Sequence, residues 1–121
     1  MYQVINQENN SIEIALSGHI TGDEFKQVLH QLESLCRTKR RINVLVDAVD
    51  VEKFDKEVLK EERDFYENYK IYLDRIAFVS DDKLRNSIVK LFDFFRDTDT
   101  RTFTTDHIEE ARDWAFPSKL P

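Results

Sequence analysis

The chain has 121 residues, of which 40% are hydrophobic and 35% charged, and its formal net charge at pH 7 is −6. A chain of this length is expected to form one domain and to bury roughly two-thirds of its unfolded surface, enough for a core without metal or disulfide staples. Nine Phe, four Tyr and one Trp argue against disorder, and the negative charge disfavours nucleic acid and anionic membranes as partners.

Cys36 is the only cysteine, which excludes an internal disulfide and a thiolate metal set. The opening MYQVINQENN has neither the basic start nor the apolar stretch of a signal peptide. No apolar run approaches the ~18 residues that cross a bilayer. A reducing, cytoplasmic setting is therefore expected.

In chain order, YQVIN and SIEIALS alternate on either side of QENN, with Ile12, Ile14 and Leu16 on one face; this predicts a hairpin with a polar turn. Thr21 and Glu24 form a T-x-x-E capping box. Phe25, Val28, Leu29, Leu32 and Leu35 then recur at helical spacing, predicting an amphipathic helix from Thr21 to about Thr38. RTKRR (Arg37 to Arg41) falls at the end of that helix, where cations complement the dipole, the alternative being an anion-binding patch. Cys36 shares a face with Leu29 and Leu32; Arg37 beside it would favour a thiolate, but no base accompanies it.

Ile42, Val44, Leu45 and Val46 are apolar on both faces, which predicts a central strand ended by Asp47 and followed by a loop carrying Asp50. Asp55 to about Lys70 reads as helix, with Phe54, Val58, Phe65 and Tyr69 following one face. DRIAFVS repeats the buried-strand pattern and ends in SDD. Leu84, Ile88, Leu91 and Phe95 mark a third helix, and RTFT a short strand. Thr105 or Asp106 caps a last helix that turns Ala111, Trp114 and Ala115 inward and stops at Pro117. The order β-β-α-β-α-β-α-β-α predicts an α/β layered fold with parallel pairing and right-handed crossovers, in one domain over residues 1–121.

No catalytic, metal or cofactor set assembles. Gly18 and Gly22 are the only glycines, so neither GxGxxG nor GxxxxGK[ST] can occur. His19, His30 and His107 lack the spacing of metal ligands. Ser80 ends a strand without the glycine flanks of a nucleophile elbow. Asp47, Asp50, Ser80, Asp81 and Asp82 all fall at the carboxyl ends of parallel strands, where α/β sheets bind ligands. They either form a ligand surface or accept loop and helix-start N–H groups, the commoner use of such residues. A receiver domain also places acids here, but this chain has no acid pair after its first strand and no lysine in RTFTTDH.

The aromatics leave a second question open. Phe65 and Tyr69 share one helix face, and Leu91 and Phe95 another, while Tyr66, Tyr72, Phe92 and Phe94 exceed what one face needs. They either close the edges of the core or form an exposed patch for a partner, a lipid or a second copy. Phe65, Tyr66, Tyr69, Phe92, Phe94 and Phe95 are thus the candidate apolar pocket or interface.

IEIALSGHITGDEF, RINVLVDAVDVEKF, DRIAFVSDDKL and TRTFTTDHIEEARDWAF resemble, in order and spacing, the SpoIIAA-like proteins, a bacterial group with a STAS/SEC14-like fold. The resemblance covers nearly the whole chain. It implies five mostly parallel strands, the first antiparallel at the edge, with four helices. STAS-type anti-sigma-factor antagonists are regulated on a serine in a D-x-S-G-like loop. Here that stretch reads VDAVDVEKF, without serine, threonine or glycine, so the phosphoswitch transfers to no residue. The expected role is a non-catalytic regulatory or protein-interaction module, acting on a protein partner or as a homodimer. The alternative is a SEC14-like binder of a small apolar or lipid-like ligand, a fold-level analogy. A third and weaker reading is an acid-assisted enzyme using Asp47 and Asp50.

Overall fold

The computed structural model describes residues 1–39, 41–81 and 98–117. Its five strands form one sheet in the order β1 (Tyr2–Glu8), β2 (Ser11–Ile20), β3 (Ile42–Phe54), β4 (Leu73–Val79) and β5 (Asp99–Phe103). β1 runs antiparallel to β2, and every other neighbouring pair is parallel. Three α-helices are described rather than the expected four: α1 (Gly22–Thr38), α2 (Glu57–Tyr69) and α3 (Ile108–Ala115), with 3-10 turns at Lys70–Tyr72 and Thr105–His107. The helix expected around Leu84, Ile88, Leu91 and Phe95 lies outside the described residues.

The hairpin turn is tighter than QENN. Gln7 and Glu8 pair with Ile12 and Ser11, leaving Asn9 and Asn10 to turn the chain. Asn9 adopts φ 52°, a left-handed conformation that asparagine tolerates better than most residues. From there Ile12, Ile14 and Leu16 face the helices α1 and α2, and Val44, Ile76 and Phe78 continue the same layer. The opposite face carries Leu45, Ala77 and Val79 under Ala111, Ala115 and Phe116. β3 and β4 are covered on both sides, which is why their central residues lack alternation.

β3 does not end at Asp47, and Asp50 is not in a loop. The strand runs on to Phe54 because β2 continues beside it, pairing Ser17 with Asp50, Gly18 with Val51 and Ile20 with Phe54. Register breaks between Ala15 and Ser17 and between Gly18 and His19 give β3 extra residues there. Ala48, Val51 and Phe54 consequently recur every third residue, which hides the period-two signature of a strand. β4 stops earlier, its last pair joining Val79 to Asp47. Beyond Asp47, β3 has no partner strand on that side among the described residues.

α1 begins as its sequence predicts, with Thr21 Oγ1 accepting the Glu24 N–H at 3.1 Å. Glu24 Oε1 takes the Met1 amino group at 2.5 Å rather than reaching back to Thr21. Phe25, Val28, Leu29, Leu32, Leu35 and Cys36 are buried on its inner face. The helix stops at Thr38, so of the basic run only Arg37 lies in its last turn. Arg41, at φ 59°, instead pairs with Asp74 at 2.8 Å.

α2 starts at Glu57, two residues beyond the expected Asp55, and has no side-chain cap. Its opening turn is held by the Val58 N–H donating to the Asp55 carbonyl at 3.1 Å. The start of α1 lies against it: a Cβ on Gly22 would sit 2.8 Å from the Glu57 Cβ. Gly22→Ala should therefore lower stability by about 1–3 kcal/mol through overpacking, read from urea unfolding. An unchanged midpoint would show that the two helix starts part without cost.

At the other end, Thr104 precedes the 3-10 turn and its hydroxyl donates to Asp106 Oδ1 at 2.6 Å; neither Thr105 nor Asp106 is the cap. Ala111 and Ala115 are buried as expected, while Trp114 is half-buried and Phe116, 1% exposed, is the largest fully buried side chain among the described residues. Arg75 and Arg101 lie 5.4 and 4.7 Å from the Trp114 ring centre. Arg75 Nη1 also donates to the Trp114 carbonyl at 2.8 Å, tying the end of α3 to β4.

Candidate functional site

The strand-end residues gather at one end of the sheet. Asp47 pairs in register with Val79, so Ser80 and Asp81 leave β4 beside the freed part of β3 that carries Asp50. Asp50 is exposed, Asp47 and Asp81 are half-buried, Ser80 is buried, and Asp82 lies outside the described residues. Asp47 Oδ1 accepts the Val49 N–H at 3.1 Å, the local role expected of an acid at such a position. The Ser80 N–H donates to the Phe103 carbonyl at 3.1 Å. Among the described residues no group of three or more His, Cys, Asp or Glu side chains could hold a metal ion. Asp47→Asn keeps the acceptor and should leave stability within about 0.5 kcal/mol, whereas Asp47→Ala should cost about 1 kcal/mol in thermal unfolding.

The histidines serve the surface. His19 Nε2 lies 2.5 Å from Asp55 Oδ1, joining the end of β2 to the approach to α2. His30 is exposed, and His107 Nδ1 lies 3.0 Å from the Thr104 hydroxyl. Cys36 is 3% exposed, and burial followed by the charge of Glu33 pushes its thiol up to about 11. The expected thiolate-favouring effect of Arg37 is thus overturned, because the side chain sits in the core.

The aromatic set is drawn largely inward. Phe65 and Tyr66 are 5% and 6% exposed, and Tyr69 and Tyr72 pack against the core. Phe65 stacks on Tyr69 with ring centres 5.1 Å apart, and the Tyr66 hydroxyl lies 3.2 Å from Thr98 Oγ1. Phe92, Phe94 and Phe95 lie outside the described residues.

Phe65 lines a small apolar cavity of about 30 Å³ between α1, α2 and the sheet. The only polar side chain among the described lining is Glu62. Glu62 is 1% exposed, and neither carboxyl oxygen has a hydrogen-bond partner. Desolvation pushes its carboxyl up to about 9, so it is protonated at neutral pH. Sequence reasoning missed it, although its spacing is informative: Glu62 follows Val58 by four residues and precedes Phe65 by three, the middle of the buried stripe.

A second buried acid lies on the opposite face. Glu13 is 1% exposed on β2 and faces Arg112 of α3. The guanidinium donates from Nε to both carboxylate oxygens at 3.1 and 3.3 Å and from Nη2 at 3.1 Å. Arg112 Nη1 also reaches Glu109 at 2.6 Å. These hydrogen bonds, that to Glu13 first, hold the guanidinium above its ordinary value.

A mixed sheet with an antiparallel edge strand and helices on both faces defines an α/β layered protein. The chain belongs to the SpoIIAA-like family, whose model matches residues 11–115. It is similar in structure to a crystallised protein of the DUF3478 family from Shewanella loihica PV-4, described as having a SpoIIAA-like fold. That match has 16% identity and a TM-score of 0.71, covering 95% of this chain and 92% of that one. It is likewise similar to the anti-sigma factor antagonist SpoIIAA in its unphosphorylated form, at 10% identity and a TM-score of 0.71. Here 100% of this chain and 99% of that chain are covered. No curated protein is significantly similar in sequence. No described helix is long and apolar enough to cross a membrane.

Proposed function

We propose that this chain is a non-catalytic, cytoplasmic regulatory module that docks a protein partner on the acidic end of its sheet. The observation that carries this reading is the projection of β3 past β4, which presents Asp50, Glu52 and Lys53 as exposed residues on a strand still paired with β2. Asp47, Asp55 and Glu57 flank them, so acids outnumber Lys53 and Lys56, and a partner with a basic surface fits. The likeness to SpoIIAA, described as an anti-sigma factor antagonist, supports a regulatory role acting through another protein. Since VDAVDVEKF carries no hydroxyl, the charge at this rim is fixed rather than switched by phosphorylation of that stretch.

The test compares affinity capture from the cells of origin by the native chain, by Asp50→Lys/Glu52→Lys, and by Gln27→Lys/Gln31→Lys on the exposed side of α1. A partner lost only on reversal of the rim, and released by salt, is the expected result. Equal capture by all three proteins would refute the reading. Sedimentation of the native chain separates a foreign partner from a second copy: a concentration-dependent dimer abolished by the rim reversal would make the partner the chain itself.

The cavity favours a second reading, binding of a small ligand with an apolar body. Its support is the unpartnered carboxyl of Glu62 in a lining that is otherwise apolar. Binding of a small aliphatic probe, observed by calorimetry, tests it, and a chain inert to all such probes would exclude it.

A further inference from the structure

Glu62 is costly where it stands. A buried carboxyl with both oxygens unpaired forgoes the hydrogen bonds it makes with water, a loss that falls even on the neutral acid. A hydroxyl or an amide at this position would offer hydrogen bonds with less desolvation. What a carboxyl adds is the capacity to neutralise a positive charge. None of the described lining residues is a cation: β2, α1, β3 and β4 contribute aliphatic side chains, and Phe25, Phe65 and Phe78 contribute three phenyl rings. Phenyl faces attract cations, most of all where water is excluded. A carboxyl together with phenyl rings in an apolar, partly open cavity matches an ammonium group carrying a hydrocarbon chain.

We propose that the cavity between α1, α2 and the sheet binds a small primary alkylammonium, whose nitrogen pairs with Glu62 and whose chain lies against the surrounding apolar side chains. This rests on the ligand-binding reading above and names the ligand class. The free space of about 30 Å³ admits the head group and one or two carbons, and the rest of a short chain would occupy the open side. Proton balance follows from the chemistry. Glu62 enters as the neutral acid and the ligand as R–NH3+, so forming the ion pair releases one proton from the carboxyl to the solvent. Titratable groups of the flanking helices line a second pocket between α1 and α2. They are Lys26, His30 and Glu33 of α1 and Glu61 and Asp64 of α2.

Titration calorimetry of the whole chain with n-butylammonium, 1-butanol and butyrate, in buffers of differing ionisation heat, tests the proposal. The expected result is saturable binding of butylammonium alone, with about one proton released. Affinity should rise close to tenfold per pH unit from pH 6 to 8, because one proton is released while Glu62 starts protonated. Glu62→Gln, which preserves the side-chain shape, should weaken binding at least tenfold. The proton release is read on the native chain, so the test stands even if the variant folds poorly. Binding of butanol or butyrate as strong as that of the amine, or binding without proton release, would overturn the cationic class while leaving a ligand cavity in place. Absence of binding by all three probes would overturn both.

Discussion

Replacing Arg112 with leucine should cost about 3–5 kcal/mol of folding stability, because it strands the Glu13 carboxylate beneath α3. The pair is asymmetric in burial: Glu13 is 1% exposed and Arg112 34%. Removing the acid therefore leaves a cation that can turn to water or to Glu109, and Glu13→Gln should cost less than Arg112→Leu. Removing both charges, as in Glu13→Gln/Arg112→Leu, should recover most of the loss, since no ion is then left desolvated without its partner. Urea unfolding of the four proteins at pH 7 provides the cycle. Equal, additive losses from the two single changes would show that the pair is not coupled.

The second large effect belongs to Glu62 and depends on pH. In the unfolded chain its carboxyl releases its proton near 4.5, whereas burial holds the proton to about 9 in the native state. Between those values the native state carries one more proton, so stability falls as pH rises. The contribution of this group is fully present below about pH 4.5 and is lost as pH climbs through about 9. The slope is about 1.4 kcal/mol per pH unit, so the native chain should lose roughly 4 kcal/mol of this contribution between pH 5 and pH 8. Glu62→Leu should abolish that slope and be the more stable protein at pH 8. Unfolding free energies measured across this range check both statements. A native chain with no downward slope would show that the carboxyl is hydrated or paired.

Both buried acids were hidden from sequence reasoning for the same reason: their burial depends on partners distant in the chain. Glu13 alternates with Ile12 and Ile14 and so reads as the wet face of a hairpin. It is covered only because α3, 99 residues later, packs on that face. Glu62 is a charged residue in a strongly charged helix, and its place on the buried stripe shows only when the spacing from Val58 and to Phe65 is given more weight than its charge. The rest of the architecture was largely legible. Continuous apolar runs identified β3 and β4 as central, and the Thr21 cap and the spacing of Phe25 to Leu35 fixed α1 within a residue. The far half of β3 was not legible, since its bulges move Ala48, Val51 and Phe54 off the period of two. Asp47, Asp50, Ser80 and Asp81 lie at the end of the sheet that their sequence positions predict, but in a different local setting. Asp50 rides on an ordered strand, and Asp47 bonds its own backbone neighbour at Val49.

The docking rim is tested most directly by a photo-crosslinking amino acid placed at Asp50, and separately at Gln31 on α1, in the whole chain inside the cells of origin. A single discrete protein adduct at position 50, absent at position 31, is the predicted result. The same adducts at both positions, or none at position 50, would contradict the proposal that this end of the sheet is where the protein acts.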